Sequence, residues 1–236
     1  MNRIFTALLL SCLMSPVVGL ADSIGYCVDD GEGLYYLELV PMEAAAAGKT
    51  RELNTLVAVH GLGDSPGGFA RLFGGREVDC RLIFPRGPLL HGRGYSWFEV
   101  EISDGRVKWF SLEQLLRSAG EIARLSSNLQ VASKPAVFGF SQGGMLSFVL
   151  AAMYPDLFER FIPVAGYLPA EVNIKEPTDG RVQLRVIHGE QDRLIPIDKA
   201  RDSARRFSER GAAVVFEQLP GQGHSLRGMS FEDICR

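Results

Sequence analysis

Several features that would assign a protein to a class are missing from these 236 residues. No run of lysine or arginine stands out and the formal net charge is −3, so nothing indicates a nucleic-acid partner or an anionic membrane surface. There are four cysteines and four histidines, none at zinc-site spacing or in a cysteine-nucleophile motif, so we expect no metal and no cofactor. No apolar run reaches the ~20 residues of a membrane-spanning helix, and there is no repeat, low-complexity tract or second domain.

The composition is that of a chain that folds around a core. Hydrophobic residues make up 46 % of the sequence and charged residues 22 %, which excludes an intrinsically disordered chain. The length fits one α/β domain, since such folds often run to about 250 residues as a single unit.

The N-terminus predicts an export signal. Arg3 supplies a positive charge, a short apolar stretch follows, and small residues precede a cleavage point after Ala21. Removal of residues 1–21 would leave a single domain, 22–236, in a secreted or periplasmic protein. A lipoprotein signal cut before Cys12 ranks below this interpretation, because the apolar segment before that cysteine is short.

Three cysteines remain in the predicted mature chain: Cys27, Cys80 and Cys235. They allow one internal disulfide with one thiol left over, and an exported protein makes such a bridge plausible. The sequence leaves all three pairings open, as well as the alternative of three buried thiols.

Strand-like and helix-like segments alternate along the chain, which predicts a mostly parallel sheet with helices on both faces. Residues 44–48 are small and form a connection, and residues 86–110 are aromatic without a regular pattern, so we expect irregular structure there. The predicted strands are 34–40, 56–59, 82–84, 136–138, 161–164, 184–187 and an edge strand 213–219; the predicted helices are 69–73, 112–125, about 142–153, and 200–210.

The motif Gly139-Phe140-Ser141-Gln142-Gly143 carries the strongest chemical signal. It has the form G-x-S-x-G, which places a serine in a tight strand-to-helix turn at the edge of an α/β-hydrolase sheet. By itself the pattern is weak, but a buried strand precedes it and a helix-forming run follows it. We therefore predict Ser141 as a nucleophile.

A serine hydroxyl needs a base to take its proton, and the four histidines are the candidates. Hydrolases of this fold order their triad as serine, acid and histidine along the chain, and only His188 and His224 follow Ser141. His188 precedes every good acid candidate. His224, in a glycine-rich loop after the last strand, is therefore the predicted base.

The acid should follow a strand between the serine and the base. Asp192 lies in the loop after the strand 184–187, and its carboxylate would orient the imidazole. Glu190 and Asp198 are competitors, although Asp198 falls in the first turn of a helix, where an acid has a structural role.

The tetrahedral intermediate of such a reaction carries a negative oxygen that needs preorganised donors. One is the backbone N–H of Gln142, directly after the nucleophile. The loop His60-Gly61-Leu62-Gly63, after an early strand, offers the backbone N–H of Leu62 as the second.

These blocks together resemble the phospholipase/carboxylesterase family of α/β-hydrolases, which includes bacterial carboxylesterases and acyl-protein thioesterases. The resemblance covers about residues 54–227 and implies the same triad and oxyanion donors. It is carried by His60-Gly61-Leu62-Gly63-Asp64-Ser65, Phe84-Pro85-Arg86-Gly87-Pro88, Ser96-Trp97-Phe98, Gly139-Phe140-Ser141-Gln142-Gly143-Gly144-Met145, Asp192-Arg193-Leu194-Ile195-Pro196 and Gly223-His224.

The sequence departs from the family in two respects. An export signal is not typical of the intracellular thioesterases, and the segment 86–95, beside the acyl pocket in the family, differs from the usual sequence. Apolar residues near the predicted site are candidates for that pocket, although core packing explains each one equally well: Phe69, Leu89, Leu90, Tyr95, Trp97, Leu194 and Ile195.

The predicted activity is that of a serine esterase acting on a small-molecule ester. It would cleave carboxylic esters, with thioesters as an extension, of short to medium acyl chains through an acyl-enzyme on Ser141. Acyl transfer by the same acyl-enzyme and lysophospholipase or thioesterase action on longer chains are the alternatives. A binding protein on this fold would usually have lost a triad member. The natural substrate and the oligomeric state do not follow from the sequence.

Overall fold

One eight-stranded sheet organises the chain in the computed structural model, which describes residues 23–31, 34–74, 79–175, 180–231 and 234–235. The predicted signal peptide, residues 1–21, and Cys12 lie outside the described residues. The strands are β1 (Ser23–Asp29), β2 (Tyr35–Pro41), β3 (Thr55–Val59), β4 (Arg81–Pro85), β5 (Leu89–His91), β6 (Gly94–Ser96), β7 (Val100–Ser103), β8 (Arg106–Phe110), β9 (Ala136–Phe140), β10 (Phe161–Val164), β11 (Gln183–Gly189) and β12 (Ala213–Leu219). The helices are α1 (Met42–Ala46), α2 (Pro66–Ala70), α3 (Leu112–Asn128), α4 (Gln142–Met153) and α5 (Ile197–Glu209).

The sheet is parallel over most of its width. Its order is β1-β2-β4-β3-β9-β10-β11-β12, and only the β1–β2 and β2–β4 pairs are antiparallel. Parallel strands covered on both faces are apolar throughout, and all five residues of β3 are buried. Val57 and Val59 join one hydrophobic cluster, while the alternating Leu56 and Ala58 join another.

The two clusters cover opposite faces of the sheet, and different elements complete each one. Buried residues of α3, α4 and α5 pack into the first cluster, whereas α2 and the C-terminal segment around Met229 and Ile234 pack into the second. This arrangement confirms the predicted α/β-hydrolase fold. Among the helices that the structure describes, none is long and apolar enough to cross a bilayer.

Residues 86–110, expected to be irregular, contain two antiparallel hairpins. β5 pairs with β6 and β7 pairs with β8, each as a separate two-stranded sheet. The turn of the first hairpin contains Gly92, whose φ of 59° a glycine adopts readily. The connection predicted at residues 44–48 likewise begins within a short helix, α1.

A disulfide joins Cys80, at the start of β4, to Cys235, near the C-terminus. This is one of the three pairings that the sequence left open, and Cys27 lies outside it, exposed on β1. The bridge holds the C-terminal segment against the second cluster, where Ile234 is 4 % exposed.

Candidate active site

The predicted nucleophile, Ser141, lies in a sharp turn between a strand and a helix. β9 ends at Phe140 and α4 begins at Gln142, and Ser141 between them has φ 59° and ψ −112°. A positive φ is uncommon for a residue with a side chain and persists only where the surroundings enforce it. The Ser141 N–H donates to the carbonyl of Val164 in β10 at 2.9 Å. The backbone therefore has the form of a nucleophile elbow, which exposes a hydroxyl at the carboxyl edge of the sheet.

Glycines on either side of the serine make this turn possible. A Cβ atom on Gly139 would overlap the carbonyl oxygen of Gly143, and a Cβ atom on Gly143 would overlap the carbonyl oxygen of Val59 in β3. Because both overlaps involve backbone atoms, no side-chain movement could relieve them. The two glycines allow the first turn of α4 to lie directly against the sheet.

His224 lies between the serine and an acid. Its Nε2 is 2.8 Å from Oγ of Ser141, and its Nδ1 is 2.7 Å from Oδ2 of Asp192. The carboxylate can only accept, so Nδ1 carries a proton, and in the neutral form of the ring Nε2 accepts the serine hydroxyl proton. The imidazole also packs against the ring of Phe140, with centroids 5.0 Å apart. These contacts are those of a serine nucleophile with its general base.

Hydrogen bonds hold both carboxylate oxygens of Asp192 in place. Its side chain is fully buried, and Oδ1 accepts the backbone N–H groups of Leu194 and Ile195, each at 2.9 Å. The competing acids make other contacts: Glu190 accepts a backbone N–H in the loop before His224, and exposed Asp198 pairs with an arginine of α5. The structure thus brings Asp192 to the histidine.

The surroundings of Asp192 keep it ionised. Burial alone would raise the pKa of its carboxyl, because a low-dielectric environment disfavours the charge. Hydrogen bonds from His188, His224 and the backbone of Ile195, with the charge that His224 can carry, outweigh burial and hold the pKa well below its usual range. A carboxylate in this state can stabilise an imidazolium beside it.

The loop after β3 lies directly against the serine. A Cβ atom on Gly61 would be 3.3 Å from Cβ of Ser141. Two residues on, the Gly63 N–H donates at 2.8 Å to a carbonyl of the hairpin formed by β5 and β6. Leu62 lies between these two fixed glycines, and Gln142 is the first residue of α4. Leu62 and Gln142 are therefore close to Ser141 on different elements, and their role as oxyanion donors stays a prediction.

His60, at the end of β3, has a structural role. Its ring is fully buried, and Nε2 accepts the Gly87 N–H at 3.1 Å, so the proton lies on Nδ1, which donates to the Gly61 carbonyl at 2.7 Å. Burial lowers the pKa of His60 and outweighs the opposing effects of that carbonyl and of Asp64. The ring is therefore a neutral support for the loop.

The seven candidates for an acyl pocket occupy different environments. Phe69, Trp97 and Ile195 are no more than 2 % exposed, which is the burial expected of core residues. Leu90, at 83 % exposure, projects from the first hairpin, and the remaining three are half-buried: Leu89, Tyr95 and Leu194. Their part in binding an acyl chain stays a prediction.

Sequence reasoning did not find three contacts around the site. His188, which the sequence offers as a candidate base, lies beside Asp192, and Phe140, a residue of the serine motif, packs on His224. The side chain of Gln142 makes hydrogen bonds to residues 96–98. Phe140 and Gln142 adjoin Ser141 in the sequence, and His188 precedes Asp192 by four residues, so proximity along the chain was the available signal.

The arrangement can carry out acyl transfer. It combines a hydroxyl nucleophile, an imidazole and a buried carboxylate in one hydrogen-bonded series. Within the described ranges, no group of three or more His, Cys, Asp or Glu side chains is placed to hold a metal ion.

The chain matches a protein family model described as phospholipase/carboxylesterase over residues 41–236. Acyl-protein thioesterase 1 of Gibberella zeae is 26 % identical over 200 residues, which cover 72 % of this chain and 83 % of that protein. A "probable inactive carboxylesterase" of Oryza sativa subsp. japonica is 27 % identical, with 72 % of this chain and 78 % of that protein covered.

Solved structures show the same fold. A carboxylesterase from Mesorhizobium loti superposes with a TM-score of 0.66 at 18 % identity and covers 85 % of this chain and 91 % of its own. Acyl-protein thioesterase 2 of Zea mays superposes with a TM-score of 0.63 at 21 % identity, covering 79 % and 93 % respectively.

Proposed function

The chain belongs to the phospholipase/carboxylesterase family of α/β-hydrolases, and from that premise we propose that it cleaves carboxylic esters through an acyl-enzyme on Ser141. One observation carries the proposal: His224 lies 2.8 Å from Oγ of Ser141 and 2.7 Å from Oδ2 of Asp192. A relative bears a name that denotes inactivity, but this chain has all three groups at hydrogen-bonding distances.

The proposed reaction has two steps. Oγ of Ser141 attacks the ester carbonyl while Nε2 of His224 takes the hydroxyl proton, and Asp192 stabilises the resulting imidazolium. The N–H groups of Gln142 and Leu62 bind the tetrahedral oxyanion. Collapse breaks the ester C–O bond, and His224 returns its proton to the leaving alcohol. Water then attacks the acyl-enzyme by the same route and releases the acid.

We expect short to medium acyl chains to be the better substrates. The hairpins of residues 89–110 are short, and the described part of the connection between β10 and β11, residues 165–175 and 180–182, contains no helix that could form an apolar lid. A shallow pocket gains ~0.8 kcal/mol per buried CH₂ only until it is full. Additional methylenes then stay in water and contribute nothing.

A series of p-nitrophenyl esters, from acetate to palmitate below micelle concentrations, tests the activity and the chain-length preference. We expect kcat/KM to rise and then level off or fall. A steady climb to the longest chain would indicate a lipase or long-chain thioesterase instead. An added alcohol acceptor distinguishes acyl transfer, because the products would then include a new ester.

A fluorophosphonate probe tests the nucleophile. Ser141→Ala should abolish labelling and lower kcat by roughly 10⁴-fold, as loss of a triad member does in other serine hydrolases. Ser147→Ala is the matched control, because this buried serine lies on α4 and donates only to the Gly143 carbonyl. Labelling that survives in Ser141→Ala would exclude the assignment.

We further propose that the protein is exported after cleavage behind Ala21, to the periplasm or the medium. The Cys80–Cys235 disulfide favours this, because disulfides persist mainly in oxidising compartments. The intact mass of protein from its native host decides: a retained Met1 contradicts cleavage, and a lipid on Cys12 indicates a lipoprotein.

A further inference from the structure

A buried polar network connects the two elements that supply the proposed oxyanion donors. Its centre is the segment Ser96, Trp97 and Phe98, which begins with the last residue of β6 and leads toward β7. The side chain of Gln142 is 4 % exposed and is directed at this segment: Oε1 accepts the Trp97 N–H at 2.9 Å, and Nε2 donates to the Phe98 carbonyl at 2.9 Å. The hydroxyl of Ser96 lies 3.1 Å from the same Oε1. The segment is thereby attached to the residue directly after the nucleophile.

The same segment is attached to the loop after β3. The indole of Trp97 is fully buried, and its Nε1–H donates to the carbonyl of His60 at 2.9 Å. The rings of these two residues are 5.0 Å apart, and the His60 ring in turn binds the Gly61 carbonyl and the Gly87 N–H. Trp97 therefore holds the backbone carbonyl two residues before Leu62.

Trp97 is itself held on its far side. The hydroxyl of Ser118, in α3, donates to the Trp97 carbonyl at 2.7 Å. The N–H, the carbonyl and the indole N–H of Trp97 thus each have a partner on a different element: Gln142, Ser118 and His60. A residue constrained in three directions can transmit the position of one element to another.

Packing alone does not account for Gln142. A buried amide is costly when unpaired, and an apolar side chain of similar length would fill the same space without that requirement. Here every polar atom of the Gln142 side chain is paired, and all the partners lie in one three-residue segment. The amide of Gln142 therefore fixes the position of the segment 96–98 relative to the start of α4.

We propose that Gln142 and Trp97 are positioning residues that fix the backbone N–H groups of Gln142 and Leu62 at the separation the oxyanion requires. This inference rests on the proposed function and adds to it a role for two side chains outside the triad. The physical reason is that stabilisation of the transition state depends steeply on the distance between the donors and the oxyanion. Preorganised donors stabilise the transition state only at the correct distance, and a displacement of 1 Å can cost about 10²-fold in rate.

Two substitutions test the network. Gln142→Met keeps the backbone N–H and the length of the side chain but removes all its hydrogen bonds, and Trp97→Phe keeps an aromatic ring but removes the N–H that binds His60. The stability control is Arg81→Met. Arg81 is 8 % exposed, binds Glu38 and the Gln130 carbonyl, and lies at the amino end of β4, away from the elbow.

The readouts are kcat and KM for a p-nitrophenyl ester, the Tm, and the affinity for an alkyl trifluoromethyl ketone. Oγ of Ser141 adds to the carbonyl carbon of the ketone, and the former carbonyl oxygen occupies the oxyanion position. For Gln142→Met we expect kcat to fall by about 10-fold to 100-fold, KM to stay within about threefold, and ketone affinity to fall by the same factor as kcat/KM. Trp97→Phe should show the same pattern with a smaller loss, and Arg81→Met should lower the Tm without changing kcat.

Three outcomes would overturn the positioning role. Unchanged kcat and ketone affinity in folded Gln142→Met would do so, and if that variant does not fold, the same result in Trp97→Phe decides. An equal loss of kcat in Arg81→Met at a matched Tm would show general destabilisation instead. A wild-type protein that neither hydrolyses esters nor binds the ketone contradicts the proposed function, and this inference falls with it.

Discussion

Nε2 of His188 lies 3.3 Å from Oδ2 of Asp192, the carboxylate oxygen that also accepts the Nδ1–H of His224. The His188 and Asp192 side chains are fully buried. The same Nε2 is 2.8 Å from the carbonyl of Ile195, and since a carbonyl only accepts, Nε2 must carry the proton. The carboxylate thus lies between two imidazoles, of which only His224 reaches the serine.

We expect His188→Leu to lower kcat/KM about 10-fold, because Oδ2 loses a donor and the Ile195 carbonyl loses its partner. His188→Gln should lose much less, since its amide N–H can occupy the place of Nε2. Ester hydrolysis and the rate of fluorophosphonate labelling measure the effect, with the Tm recorded for each variant. Equal rates in His188→Leu and the wild type would show that this contact does not orient Asp192.

The sequence was sufficient for features that depend on neighbours along the chain. The helix predicted at about 142–153 is α4, Gln142–Met153, because its glycine-flanked start and apolar run are local signals. The order of the triad along the chain predicts His224 and Asp192, and the structure brings His224 to Ser141 and Asp192 to His224.

Features that depend on distant pairing could not be predicted. The hydrogen bond from the Trp97 N–H to Gln142 joins residues 45 positions apart. Cys80 and Cys235 are 155 residues apart, and three cysteines give no preference among pairings. The hairpins within 86–110 have short strands with few buried residues, so hydrophobic periodicity gives little signal there.

Protonation of Asp192 should not limit hydrolysis between pH 4 and 9. The reaction needs the Asp192 carboxylate charged, because that charge stabilises the imidazolium that forms on His224 during acyl transfer. The pKa of Asp192 is held below its usual range, so its carboxylate stays charged throughout. The stability that this charge contributes is present above about pH 4 and is lost as the pH falls through the lowered folded-state pKa.

The pH profile of kcat/KM from pH 4 to 9 checks this expectation. Asp192→Asn should lower kcat by about 10⁴-fold, as the equivalent change does in another serine hydrolase. Glu190→Gln is the matched control, since Glu190 is two residues away and bonds to a loop N–H instead. A carboxyl ionisation between pH 4 and 6 in the wild-type profile, absent from Asp192→Asn, would contradict the account of Asp192.

Loss of the disulfide should lower stability without lowering activity. The bridge closes a loop of 155 residues, for which the chain-entropy model gives about 5 kcal/mol. We expect Cys235→Ser to lower the free energy of unfolding by 2–5 kcal/mol in that model's usual range. Cys80 precedes β4 at its amino end, whereas Ser141 follows the carboxyl end of β9, so kcat at 25 °C should be unchanged.

Urea unfolding and ester hydrolysis measure the two quantities. Cys27→Ser is the control, because Cys27 is outside the bridge, and it should keep the wild-type stability. Addition of a reductant should shift the wild type toward the Cys235→Ser value and leave Cys235→Ser itself unaffected. A fall in kcat in the folded Cys235→Ser variant would show that the C-terminal segment influences the site.

His60 should make the free energy of unfolding depend on pH. Burial lowers the pKa of His60 in the folded state, whereas in the unfolded chain a histidine has its ordinary value of ~6.5. Below that pH the unfolded state binds a proton that the folded state does not, so stability is lost as the pH falls, by up to about 1.4 kcal/mol per pH unit.

His60→Gln tests this dependence, because its amide oxygen can still accept the Gly87 N–H. The variant should be less stable than the wild type at pH 7.5 but should lose less of its free energy of unfolding between pH 7 and 5. Urea titrations at four pH values give these slopes, and an equal slope in His60→Gln and the wild type would mean that His60 is protonated in the folded protein and does not bind Gly87 as described.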